Sequence, residues 1–69
     1  MASGVVKRVI QDRQFGFIRA DDGEDFFFHK SAVRFGSFEA LEAGVSRVDF
    51  DIGASAKGPR AENVRVLEG

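Results

Sequence analysis

Phe15 and Phe17 flank a glycine, Phe27 and His29 flank Phe28, and cations stand close to each pair: Lys7, Arg8, Arg13, Arg19, Lys30 and Arg34. Rings and cations in this pattern suit stacking and anion pairing rather than covalent chemistry. A ring offers a π-face to another planar group, while a nearby guanidinium or ammonium offers charge to a phosphate. Catalysis has little to work with. His29 is the single histidine, and neither a nucleophile nor an orienting partner stands with it in any known signature. The chain has no cysteine, which excludes a disulfide framework and a thiolate metal site. The acidic run "DDGED" lacks the ligand spacing of a calcium loop. "GASAKGP" lacks phosphate-loop spacing and a following helix. These residues imply no enzyme, no metal and no cofactor.

The elements that must position them follow from apolar spacing. Successive side chains of a strand point to opposite faces, and the chain reads as five short strands, roughly 4–12, 15–20, 25–30, 47–52 and 60–67. "QDRQ" is a short polar hairpin connection, and "ADDGED" is the next turn, with Gly23 free to take positive φ. In "GASAKGP", Pro59 is expected to stop pairing. "FGSFEALEAG" has room for one helical turn ended by Gly44, but not for an amphipathic helix.

Alternation then assigns faces. Phe15, Phe17 and Arg19 share one side of the second strand, with Ile18 opposite. Phe27 and His29 share one side of the third, with Phe26 and Phe28 opposite. The expected core is Val6, Ile10, Ile18, Phe26, Phe28, Val33, Leu41, Val48, Phe50, Val64 and Val66. Strict alternation in the first strand would bury Arg8 beside Val6, and a bulge near Arg8 and Val9 removes the conflict. A chain of 69 residues makes one domain, 1–69, and closing five antiparallel strands into a small all-β barrel hides their edges.

Phe15, Phe17, Phe27 and His29 are thereby left outside, and an exposed apolar patch marks a contact surface. Net charge is −1, yet it is unevenly distributed. Residues 1–20 carry +3, the turn 21–25 carries −4, and residues 39–51 carry −3, so the cations gather with the rings. A carbohydrate would stack on Trp or Tyr, and the chain has neither. A protein partner explains the rings but not the cations. Single-stranded nucleic acid explains both, its bases on the rings and its phosphates on Lys and Arg. Lys57 and Arg60 fit either phosphate contacts or a solvated loop. The competing reading is a barrel turned to protein contact, or a strand-exchanged homodimer hinged at "FGSFEALEAGVSR". The apolar runs are far shorter than a membrane span or a signal segment, so no membrane is implied and the expected location is the cytoplasm.

"FGFI" at 15–18 and "DFFFHKSAV" at 25–33 resemble the paired ribonucleoprotein motifs of bacterial cold-shock proteins. The resemblance extends to "G-x-V-K" at 4–7, "F-x-x-L-x-x-G" at 38–44 and "K-G-P-x-A-x-N-V" at 57–64, nearly the whole chain. It implies an oligonucleotide-binding (OB) barrel that binds single-stranded RNA and DNA with little sequence preference. RNA-chaperone or cold-shock regulatory activity would follow from that. It also implies stacking roles for Phe15, Phe17, Phe27, His29 and Phe38, and a phosphate contact for Lys7. The chain departs from the pattern at several points. Arg8 replaces the usual tryptophan, Val9 the next aromatic, and Lys30 the phenylalanine after the histidine. Arg13 and Gln14 replace Lys-Gly, and Phe35 is additional. Exchanging two rings for two cations implies weaker binding with a larger electrostatic share, unless the Arg8 guanidinium plane and the Lys30 charge compensate.

Overall fold

The computed structural model describes residues 2–56 and 58–67. Strands β1 (Ala2–Ile10), β2 (Phe15–Ala20) and β3 (Asp25–His29) form an antiparallel meander. A three-residue strand, β4 (Val33–Phe35), follows. The long hairpin of β5 (Arg47–Ser55) and β6 (Gly58–Leu67) completes the sheet. Neighbours run β3-β2-β1-β5-β6, and β3 meets β6 again where Phe27 faces Arg60, which closes a five-stranded barrel. β4 lies along the other half of β6, with Val33 opposite Val64 and Phe35 opposite Arg65.

The architecture is the expected all-β barrel, but its pairing is mixed rather than purely antiparallel. Both β3–β6 and β4–β6 are parallel. A ring of five strands cannot alternate direction all the way round, so one seam must be parallel, and here it is β3–β6. β4 was not expected; three residues are too few to show a period.

The ladder also outruns its expected end. Ala54 pairs with Pro59 and Gly53 with Arg60, so Pro59 does not stop pairing. It is the second residue of β6, near the strand end where a missing N–H is best tolerated. Gly23 takes φ +94° in its turn, as expected. The helical turn exists as a 3-10 turn at Phe38–Ala40, but Leu41 is already extended and Gly44 does not end it. Gly44 instead takes φ +82° further on, and its N–H donates to the Val6 carbonyl at 2.6 Å.

Val6, Ile18, Phe26, Phe28, Leu41, Val48, Phe50 and Val64 are buried, and Val33 and Val66 pack against them. Phe26 meets Phe50 with ring centroids 5.3 Å apart, tying β3 to β5. Ile10 does not join this core; the bulge in β1 explains why.

Candidate nucleic-acid interface

In the β2–β3 ladder Phe17 stands opposite Phe27 and Phe15 opposite His29, and directly opposed residues share a face. The three phenylalanine rings form one cluster. Centroids lie 5.8 Å apart for Phe15–Phe17, 5.4 Å for Phe15–Phe27 and 6.1 Å for Phe17–Phe27. Phe27 is 37% exposed, while Phe15 and Phe17 are half-buried against it and each other. Phe26 and Phe28, one residue to either side, are 2% and 0% exposed. Period-2 alternation alone separates platform from core.

β1 joins this face through its bulge. The register slips between Val6 and Arg8: Val6 sits opposite Ile18 in the core, and Arg8 opposite Phe17 on the ring side. One extra residue inverts the parity of everything after it. Val9 therefore packs on the core opposite Gly16, and Ile10 moves to the ring side opposite Phe15, half-buried. Gly16 is the contact between the two layers. A Cβ there would lie 2.5 Å from the Arg8 carbonyl oxygen and 2.9 Å from the Phe28 ring, so the missing side chain serves packing.

The cations divide into held and free. Lys7 Nζ donates to Asp25 Oδ2 at 2.8 Å, and Arg19 Nε donates to Asp25 Oδ1 at 3.1 Å. Those two hydrogen bonds, Lys7 first, hold the Asp25 carboxyl below its usual pKa. Lys30 Nζ lies 2.9 Å from Glu39 Oε2 and lowers the Glu39 pKa, helped by the Glu39 amide and the Ser37 hydroxyl. Arg34 donates to Asn63 Oδ1 at 3.2 Å. Arg8 and Arg13, both exposed, have no side-chain partner among the described residues. Arg60, opposite Phe27, lies 3.8 Å from Glu62, and its Nε is buried without a hydrogen bond. Lys7, Arg8, Phe17, Asp25, Phe27 and Pro59 line an open depression of about 450 Å³. It places two rings, two cations and one carboxylate in a single concavity.

One of the expected site residues falls elsewhere. Phe38 is a correction: it is 3% exposed, its ring edge-on to Phe28 with centroids 6.0 Å apart. The 3-10 turn carries it into the core, where it offers no face to a ligand. Phe35 is instead the exposed ring of that region, at 65%. Lys57 lies outside the described residues. Sequence reasoning missed the carboxylates, assigning 21–25 to a solvated turn. The available signal was that Arg19 and Asp25 are the last facing pair of the hairpin. It also missed Pro59 as part of the depression.

Among the described residues no helix is long and apolar enough to cross a membrane. Residues 2–67 match the "Cold-shock" DNA-binding domain family. The chain is 44% identical to cold shock protein 1 of Lactiplantibacillus plantarum over 93% of its own length and 96% of that protein. It is 40% identical to the major cold shock protein of Streptococcus pyogenes over 97% and 98%. With a cold shock protein of Arthrobacter globiformis it shares 43% identity over 97% and 100%. The chain folds as a closed five-stranded barrel, its sequence is matched by these relatives over nearly its whole length, and it belongs to the cold-shock domain family of nucleic-acid-binding, non-enzymatic proteins.

Proposed function

We propose that the chain, a single domain, binds single-stranded RNA or DNA in the cytoplasm with little base preference, and acts as an RNA chaperone or cold-shock regulator. One observation carries the reading: Phe15, Phe17 and Phe27 cluster on the outer face of β2–β3 while Phe26 and Phe28 fill the core behind them. Bases stack on those rings and on His29, and the Arg8 guanidinium, opposite Phe17, supplies a further plane. Arg8 and Arg13 are free to take phosphates at once. Lys7 and Lys30 do so by exchanging a carboxylate for a phosphate, and Arg60 flanks Phe27.

Because the chain has no Trp, the test uses a labelled oligonucleotide. Oligothymidine is titrated against the protein and against the Phe17→Ala, Phe27→Ala double variant. Loss of about 1–3 kcal/mol of binding per ring is expected, and equal affinity overturns the reading. Replacing Arg8 and Arg13 with Gln should flatten the slope of log affinity against log salt by about 1 for each phosphate left without its cation. The strand-exchanged homodimer is separated by sedimentation: a tight dimer indifferent to oligothymidine supports it, and a monomer that gains one oligonucleotide excludes it.

A further inference from the structure

β3 ends at His29, and the backbone turns at once through a 3-10 turn at Lys30–Ala32, with His29 as its N-terminal cap. The Ser31 backbone N–H donates to His29 Nδ1 at 3.1 Å, and the Ser31 hydroxyl lies 3.1 Å from the same nitrogen. An amide N–H can only donate, so Nδ1 must present its lone pair. In a neutral imidazole the proton then sits on Nε2. An imidazolium carries a proton on both nitrogens and cannot make this contact. Next to the ring, the Lys30 N–H donates to the Gln14 carbonyl at 2.8 Å, which ties the turn back to the start of β2. Nε2 meets no protein partner among the described residues. His29 shares the outer face with Phe15, its direct cross-strand neighbour.

Resting on the ring-face reading above, we infer that Ser31 is a positioning residue for nucleic-acid binding. It locks His29 as the Nε2–H tautomer, so that the ring face carries a hydrogen-bond donor of fixed identity beside Phe15, aimed at an oxygen of the bound strand. The phenylalanines accept any base by its π-face. His29 adds a demand: an oxygen acceptor, on a base carbonyl or a phosphate, satisfies the donor, whereas an exocyclic amino group at that point leaves two donors facing each other.

The single histidine makes the test direct, because every imidazole signal of the full-length chain belongs to His29. Nitrogen-15 NMR at pH 8 should show Nδ1 unprotonated and Nε2 protonated. Ser31→Ala removes one of the two donors and should raise the share of the Nδ1–H form, and Ser31→Thr should restore the wild-type spectrum. His29→Phe keeps a ring but has no donor, and should weaken oligothymidine binding by about two- to tenfold. Ser31→Ala should weaken it less, with rescue by Ser31→Thr. If the His29→Phe penalty persists on an abasic oligodeoxynucleotide, the acceptor is a phosphate oxygen; if it vanishes there, the acceptor is a base carbonyl. An Nδ1–H tautomer in the wild-type chain overturns the inference, as does His29→Phe binding as tightly as wild type. The two readings fail separately. Wild type that binds, and loses affinity on Phe17→Ala, Phe27→Ala but not on His29→Phe, leaves the ring face standing and removes the locked donor.

Discussion

Two faces of one ribbon, β2–β3, are built from the same side chain and have opposite consequences. On the inner face Phe26 and Phe28 reach across the barrel to Phe50 and Phe38, rings supplied by distant parts of the chain. On the outer face Phe15, Phe17 and Phe27 touch one another, as neighbours on two adjacent strands. Inner rings therefore convert burial into long-range cohesion, about 1.5–3 kcal/mol for each large apolar side chain fully removed from water. Outer rings keep part of that surface in reserve for a ligand. Residue type does not separate the two roles; strand parity does, and in β1 a one-residue bulge does.

The sharpest way to break this comparison is one alanine on each face. Phe28→Ala removes a fully buried ring, and a loss of about 3–5 kcal/mol is expected. That is a large share of the roughly 5–15 kcal/mol that holds a small domain folded. Denaturant midpoints measure it. Phe17→Ala, by contrast, should change stability by less than about 1 kcal/mol, since the site is open enough to relax, while oligothymidine binding falls by about 1–3 kcal/mol. If Phe17→Ala destabilises the barrel as much as Phe28→Ala does, the two faces are one core.

Gly16→Ala probes the layer between them. The new methyl group would press on the Arg8 carbonyl and the Phe28 ring, and a loss of about 1–3 kcal/mol follows from overpacking. Because the methyl group would displace both a core ring, Phe28, and the backbone of Arg8, which stands opposite Phe17, thermal melting should fall while oligonucleotide affinity also drops. Unchanged melting would mean that the two faces are not mechanically joined at this residue.

Much of this was legible beforehand, and the failures have physical causes. Parity placed Phe15, Phe17 and Phe27 against Phe26 and Phe28 because β2 and β3 are regular strands with no slip between them. The burial conflict at Arg8 announced the bulge. Carried one step further, the same slip moves Ile10 outward, which is where it lies. A five-stranded closed barrel requires a parallel seam, so the all-antiparallel expectation failed on counting alone. Phe38 was not legible from spacing. It sits in a connection with no period to assign a face, and only the resemblance gave it an outward role.

Gln14 offers a smaller test of how far the family pattern holds. It stands where the resemblance implies a glycine before the first ring motif, and it adopts φ +60°, a left-handed conformation that costs a side chain about 1–2 kcal/mol. Glycine's greater freedom in the unfolded chain offsets part of this. Gln14→Gly should therefore raise stability by about 0.5–1 kcal/mol in denaturant titrations. Binding through Phe15 and Phe17 should stay unchanged. A gain in affinity instead would show that Gln14 shapes the ring face, not merely the turn.

The smallest expected effect lies at the margin of the outer face, where Asp25 holds both Lys7 and Arg19. Its carboxyl titrates below the usual 3.8 because those two hydrogen bonds favour the charged form. A folded pKa lower than the unfolded one means that the unfolded chain binds more protons between the two values. Stability from this group is then complete above the unfolded pKa and disappears as pH falls through the folded one. The pair is exposed, so the effect is screened and modest. Asp25→Asn should flatten the acid limb of a stability-versus-pH curve below about pH 4, and the difference should shrink in high salt. The same substitution frees Lys7 and Arg19 for phosphates, so the variant should bind oligothymidine more tightly than wild type at neutral pH. An acid limb steeper than wild type, or weaker binding, would mean that Asp25 works with the ligand rather than in competition with it.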